Sequence, residues 1–405
     1  MSLPKGFGEP QGGAPKGRHV LVARQDSVGD VLLAGPAVRA VAAGAGRVTL
    51  LCGPRGREAA ELLPGVDQVV VEHAAWIDAQ PRRVTRKAMD SLVDRLTGLE
   101  LDQAVVLTSF HQSPLPLALL LRMAGVPTIA AISVDYPGSL LDVRHRVDED
   151  LHEVARGLSL VATLGYRLPE GDDGGLRTRR GLAAAVPDLE GGYVVVHPGA
   201  SVPARAWAPE RHAALVDALA GAGRRVVVTG GADERALTAL VAGRRARQDR
   251  GSGGLKPSPP EDRVVDLGGQ LDLAGLAEVL RRARVVVVGN TGPAHLAAAV
   301  GTPVVSLFSP VVPAARWRPR SWPGTPTRPR PGTGCAASSA ASWSGWPCAT
   351  SPATSRSSGS VPSWPGWPRP AWRPGSRSPW ARPAKGPDPP GGEARAPRTP
   401  DPPGG

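Results

Sequence analysis

The strongest constraint on this chain is a rhythm. Short apolar runs rich in Val, Leu and Ala alternate with stretches of helical period. Residues 19–23, 47–51, 67–71, 104–107 and 128–132 read as strands, and 31–43, 55–63, 85–96 and 116–124 read as the helices between them. A strand with few polar positions is buried on both faces, as in parallel sheets covered by crossover helices. Residues 150–164 add a further helix, and 167–192, rich in Gly, Asp and Arg, read as a linker or exposed loop. The rhythm then restarts with strands at 193–196, 225–229, 285–288 and 304–307 and helices at 209–220, 233–242, 273–281 and 293–299, with 248–260 as a loop insertion. Two doubly wound halves, 18–166 and 193–318, place a ligand cleft at the carboxyl ends of their strands.

The pattern stops near residue 318. Residues 319–405 hold 21 of the 44 prolines and seven of the ten tryptophans, with no Leu, Ile, Phe or Tyr. Such a segment cannot bury enough apolar surface to offset its chain entropy. It is expected to be disordered, or to be GC-rich DNA translated out of frame; the tryptophans favour the second. Residues 1–17 are also expected to be disordered. The tail carries +8 of the net charge of +12, leaving +4 on the body. That balance, without a basic run interleaved with aromatics, argues against a nucleic-acid partner.

Cys52, Cys335 and Cys348 lie far apart with no CxxC pair, so neither a disulfide framework nor a zinc site is indicated. With no apolar stretch long enough to span a bilayer and no signal-peptide pattern, the expectation is a soluble, cytoplasmic protein with at most peripheral membrane contact.

Four loops carry the chemistry-bearing residues. The first strand runs into Asp26-Ser27-Val28-Gly29-Asp30, where Asp30 either caps the next helix or serves as a carboxylate base facing the cleft. The second half opens with His197-Pro198-Gly199-Ala200, then Arg205-Ala206-Trp207, where Arg205 is either an exposed arginine or a phosphate partner. Gly230-Gly231-Ala232-Asp233-Glu234 joins a strand to a helix, and its acids either cap that helix or bind ribose hydroxyls. In Asn290-Thr291-Gly292-Pro293-Ala294-His295, Pro293 suits a first helical position, and the amides of Thr291 and Gly292 would face a bound anion. The chain lacks a GxGxxG after its first strand, a P-loop, a GxSxG elbow and a DxD-type acidic pair. These absences argue against dehydrogenases, P-loop NTPases, α/β-hydrolases and metal-bridged diphosphates.

These loops, in this order over residues 18–318, resemble glycosyltransferase family 9, the ADP-heptose:lipopolysaccharide heptosyltransferases. The resemblance implies an α/β GT-B fold, two Rossmann-like domains facing a cleft, with the acceptor on the first and the sugar nucleotide on the second. It implies inverting transfer of a heptose-like sugar from a nucleoside-diphosphate donor, expected to be ADP-linked, to a glycan or glycolipid hydroxyl, with no cofactor and no metal. On this reading Asp30 is the base, with Ser27 and Gly29 on the acceptor side. His197, Gly199, Arg205, Gly230, Glu234, Asn290, Thr291, Gly292 and His295 form the donor and diphosphate site. Arg205 stands where lipopolysaccharide-core enzymes carry a lysine, and Asn290 where they often carry an aspartate. The competing readings are a sugar-nucleotide epimerase on the same fold, or an inactive nucleotide-binding or interaction protein with a damaged C-terminus.

Overall fold

A computed structural model describes residues 17–148, 150–179, 181, 186–243, 263–310 and 312–319. The 248–260 insertion, the tail beyond 319 with its frame question, and residues 1–16 lie outside the described residues. All described residues belong to one compact unit.

The first half contains β1 (His19–Ala23), α1 (Val28–Ala42), β2 (Arg47–Cys52), α2 (Arg57–Leu62), β3 (Gln68–Val71), α3 (Arg86–Thr97), β4 (Gln103–Val106), α4 (Leu115–Met123), β5 (Thr128–Ile132), β6 (Val143–His145) and α5 (Glu153–Ala162). The second contains β7 (Val194–His197), α6 (Pro209–Gly221), β8 (Val226–Val228), α7 (Arg235–Val241), β9 (Val264–Asp266), α8 (Leu273–Arg282), β10 (Val285–Gly289), α9 (Gly292–Ala299), β11 (Val304–Leu307) and α10 (Ala314–Trp317).

Both sheets are parallel, ordered β3-β2-β1-β4-β5-β6 and β11-β10-β7-β8-β9. The chain builds outward from β1 and then returns to its other side with β4; β7 and β10 repeat the move. Ligands of doubly wound sheets bind at such reversals, beyond the carboxyl ends of the strands. Those ends here are Ala23 beside Val106 and His197 beside Val288.

One hydrophobic cluster links the sheets. It joins Val20, Val22 and Leu50 of the first to Val195, Val227 and Val286 of the second, and includes Val31, Leu32 and Val38 of α1 with Ala294, Leu296 and Ala297 of α9. The outer faces have separate cores, Leu21, Leu51 and Ile129 under α3 and α4, and Val194, Val196, Val226 and Val228 under α6 and α7.

The expected strands and helices form, with local differences. Helix α1 begins at Val28 rather than 31, because Ser27 is its N-cap and Asp30 its third residue. Strands β6 and β9 are additional; each has only three residues and ends on His145 or Asp266, too short for an apolar run to stand out. The connector 167–192 contains no regular element among its described residues, but part of it is fastened down. Arg39 of α1 makes a two-pronged ion pair with Asp172 (2.7 and 3.0 Å) and donates to the Gly175 carbonyl, while Leu176 is buried.

Candidate active site

The two sheets meet where α1 and α9 begin. A Cβ placed on Gly29 would lie 3.0 Å from His295 Cδ2 and 3.3 Å from Gly292 Cα, and one on Gly292 would lie 3.1 Å from Val28 Cγ1. The loops containing Ser27, Gly29 and Asp30, and Thr291, Gly292 and His295, are therefore brought together. Both helix starts point at this junction, and the first N–H groups of a helix have no acceptor within it.

Asp30 does cap its helix. Its Oδ2 accepts from the Ser27 backbone N–H (3.3 Å) and the Ser27 hydroxyl (2.6 Å). Its Oδ1 is left facing Arg24 Nη2 at 3.1 Å and Ser109 Oγ at 3.3 Å. The two readings of Asp30 thus fall on different oxygens of one carboxylate, whose side chain keeps 17% exposure. Burial works against its charge, but the Arg24 guanidinium and the Ser27 bonds hold its carboxyl below the ordinary range, so it is ionised at neutral pH.

Around Asp30 stands a set of residues that sequence reasoning gave no role. Arg24, 4% exposed at the end of β1, pairs with Asp26 (3.3 Å), Asp30 and Glu153 (3.3 Å). Ser109, three residues past β4, accepts from Arg24 (2.6 Å) and donates to Asp26 (2.5 Å). Glu153, at the start of α5, also pairs with Arg156 at 3.1 Å. Burial works against the Arg24 charge, but its three carboxylate partners hold its pKa above the ordinary value. Burial pushes the Asp26 and Glu153 carboxyls up despite their arginine partners.

On the second sheet, His197 Nδ1 shares a hydrogen bond with Thr229 Oγ1 at 3.0 Å, and its Nε2 lies 3.8 Å from Glu234 Oε2. Glu234 accepts from the Gly231 N–H at 2.8 Å. A Cβ on Gly199 would overlap the Glu234 carboxylate, and one on Gly230 would lie 3.1 Å from Glu234 Oε2. Only glycine leaves that carboxylate its place above both loops. Burial brings His197 and His295 each down to about 4, so both imidazoles are neutral at pH 7.

Two buried polar atoms beside this second loop have no hydrogen-bond partner, Asn290 Oδ1 and His295 Nδ1. Arg205 lies in the short turn Pro203–Arg205, its carbonyl 3.6 Å from a Cβ placed on Gly289. Its side chain is exposed. Among the described residues, no group of three or more His, Cys, Asp or Glu is arranged to hold a metal ion. No helix among them is long and apolar enough to cross a membrane.

Known proteins share this fold. The structure of E. coli ADP-heptose lps heptosyltransferase II superposes with a TM-score of 0.58 at 19% identity, over 75% of this chain and 88% of that one. E. coli heptosyltransferase WaaC with ADP gives 0.56 at 20% identity, over 75% and 91%. The fold is the expected GT-B arrangement. Lipopolysaccharide heptosyltransferase 3 of Escherichia coli is 32% identical over 129 residues, 32% of this chain and 34% of that protein. Lipopolysaccharide heptosyltransferase 1 of Pseudomonas aeruginosa is 32% identical over 221 residues, 53% and 56%. The chain thus spans between a third and somewhat over half of these curated relatives. The sequence model of glycosyltransferase family 9 (heptosyltransferase) matches residues 90–322, more than half of the chain, so the chain belongs to that family.

Proposed function

We propose that this protein is an inverting glycosyltransferase that moves a heptose-like sugar from an ADP-linked donor to a hydroxyl of a glycan or glycolipid, without a metal. The observation that carries the reading is the junction of α1 with α9, where Gly29, next to Asp30, packs against Gly292 and His295 at the start of α9, and Asp30 and His295 act on one another electrostatically.

The acceptor hydroxyl loses its proton to Asp30 as its oxygen bonds to the anomeric carbon, and the diphosphate leaves from the opposite face with the electrons of the broken C–O bond. Negative charge then grows on the diphosphate. It is met by the first N–H groups of α9, the positive end of that helix, the neutral His295 imidazole and Arg205. Glu234, which lies over Gly199 and Gly230 beside His197, accepts from ribose hydroxyls. ADP-heptose is the first donor to assay, because relatives of this fold are named for it. A heptose-deficient lipopolysaccharide core is the first acceptor, because the curated relatives are lipopolysaccharide heptosyltransferases.

Replacing Asp30 with Asn tests the assignment. Transfer is expected to fall by about a hundredfold or more, with ADP affinity unchanged, inverted anomeric configuration in the wild-type product and no loss of rate in EDTA. Retained transfer in the variant removes Asp30 as the base, and loss of rate in EDTA removes the metal-free mechanism.

A further inference from the structure

Resting on the transferase reading, we propose that the proton taken from the acceptor comes to rest on Asp26, which it reaches from Asp30 through the Ser109 hydroxyl.

The path is short and continuous. Asp30 Oδ1 lies 3.3 Å from Ser109 Oγ, and Ser109 Oγ lies 2.5 Å from Asp26 Oδ2. Ser109 already donates to Asp26, so one concerted shift completes the transfer. The proton on Asp30 Oδ1 passes to Ser109 Oγ as the Ser109 proton passes to Asp26 Oδ2. Asp30 is again a carboxylate, Ser109 is again a hydroxyl, and Asp26 is a neutral acid. The reverse path returns the proton to solvent through Asp30, the more exposed of the two carboxylates.

Charge balance explains why the cluster takes a proton. Three carboxylates, Asp26, Asp30 and Glu153, face two guanidiniums, Arg24 and Arg156, with His295 neutral beside Asp30; Arg316, whose charge reaches Arg156, is matched by its own partner Asp150. One negative charge is in excess in a buried site, where an unpaired charge is costly. Protonating one carboxylate balances the cluster.

The hydrogen bonds select which one. Asp30 is held ionised by Arg24 and both Ser27 donors. Glu153 meets both guanidiniums. Asp26 is 5% exposed, its Oδ1 has no hydrogen bond, and the facing Arg24 Nε at 3.3 Å makes none either. Burial and the Asp30 charge push its carboxyl upward and outweigh Arg24, Ser109 and Gln112, which pull it down. An ionised Asp30 binds a proton weakly, and a neighbouring carboxylate that binds it more firmly draws it off and drives the transfer forward.

The test uses the full chain with carbon-13-labelled aspartate carboxyls. The signal assigned to Asp26 by its loss in Asp26→Asn is expected to titrate above that of Asp30, and to move down in Asp30→Asn, where the neighbouring charge is gone. In transfer from ADP-heptose to an acceptor glycolipid lacking heptose, Ser109→Ala is expected to lower kcat about tenfold without changing ADP affinity, and Ser109→Thr to restore it. The dependence of kcat on solvent deuterium is expected to bend in the wild type, with two protons in flight, and to straighten in Ser109→Ala. A merely structural serine would not change that curvature. An Asp26 signal that titrates with or below Asp30, or a curvature unchanged in both Asp26→Asn and Ser109→Ala, overturns the proposal. If the wild type transfers no sugar, the transferase reading fails, while the carboxyl titration still decides whether Asp26 is the proton site.

Discussion

Gly29 faces His295 so closely that a single methyl on the glycine would stand 3.0 Å from the ring carbon Cδ2. Gly29 lies in the first turn of α1, where alanine gains up to about 1 kcal/mol of helix propensity, and the crowding costs a similar amount. In Gly29→Ala the two terms largely cancel in stability while the junction opens by tenths of an ångström. The expected result is a melting temperature within a few degrees of wild type and a clear loss of kcat, read by calorimetry and a transfer assay.

Gly199→Ala separates affinity from stability in another way. The new Cβ overlaps the Glu234 carboxylate, the far end of a flexible side chain, so Glu234 swings away and its bond to Gly231 is lost. ADP binding is expected to weaken about tenfold, or 1.4 kcal/mol, with little change in urea denaturation. Isothermal calorimetry measures the first.

Arg24 holds the Asp26–Asp30–Glu153 cluster together. Arg24→Met leaves three buried carboxylates with Arg156 alone, and the loss at pH 7 is expected to be about 3–5 kcal/mol. At pH 5 the deficit shrinks, because carboxylates without their cation take up protons. Urea titrations at the two pH values check the sign.

His197 and His295 titrate at about 4, against 6.5 for an ordinary histidine. A depressed histidine contributes stability that is complete above pH 6.5 and is lost as pH falls toward 4. The unfolded chain binds the proton first. Each contributes up to about 3 kcal/mol over that window. Asp26 and Glu153, held above their ordinary values, act in the opposite sense. The difference between wild type and His295→Gln, followed by thermal melts from pH 7 to pH 4, isolates the histidine share and is expected to narrow as pH falls.

The strands were legible because runs such as Thr128–Ile132 and Val304–Leu307 have no other plausible conformation between helical periods. The loops that supply Asp30 and His295 were legible because small residues at strand ends mark close backbone approach. The Arg24 cluster was not. Its members come from positions 24, 109 and 153, and they meet because β4 returns beside β1, a neighbour relation that periodicity does not encode. Apolar period alone places the α1 start at 31, three residues late, because Ser27 and Asp30, a serine three residues before an acid, mark the helix start through hydrogen bonds rather than through hydrophobicity.

The core shared by α1 and α9 bears on any attempt to divide the protein. Leu32 and Val38 on one side and Leu296 and Ala297 on the other belong to one buried cluster. Expressing either half alone would turn those interior surfaces into sticky exteriors, and the separated pieces would aggregate or pair with each other. Chimaeras that exchange the donor half for that of a relative must therefore carry a matched α1 seam, and compatibility along it, rather than at the connector, will decide which recombinants fold.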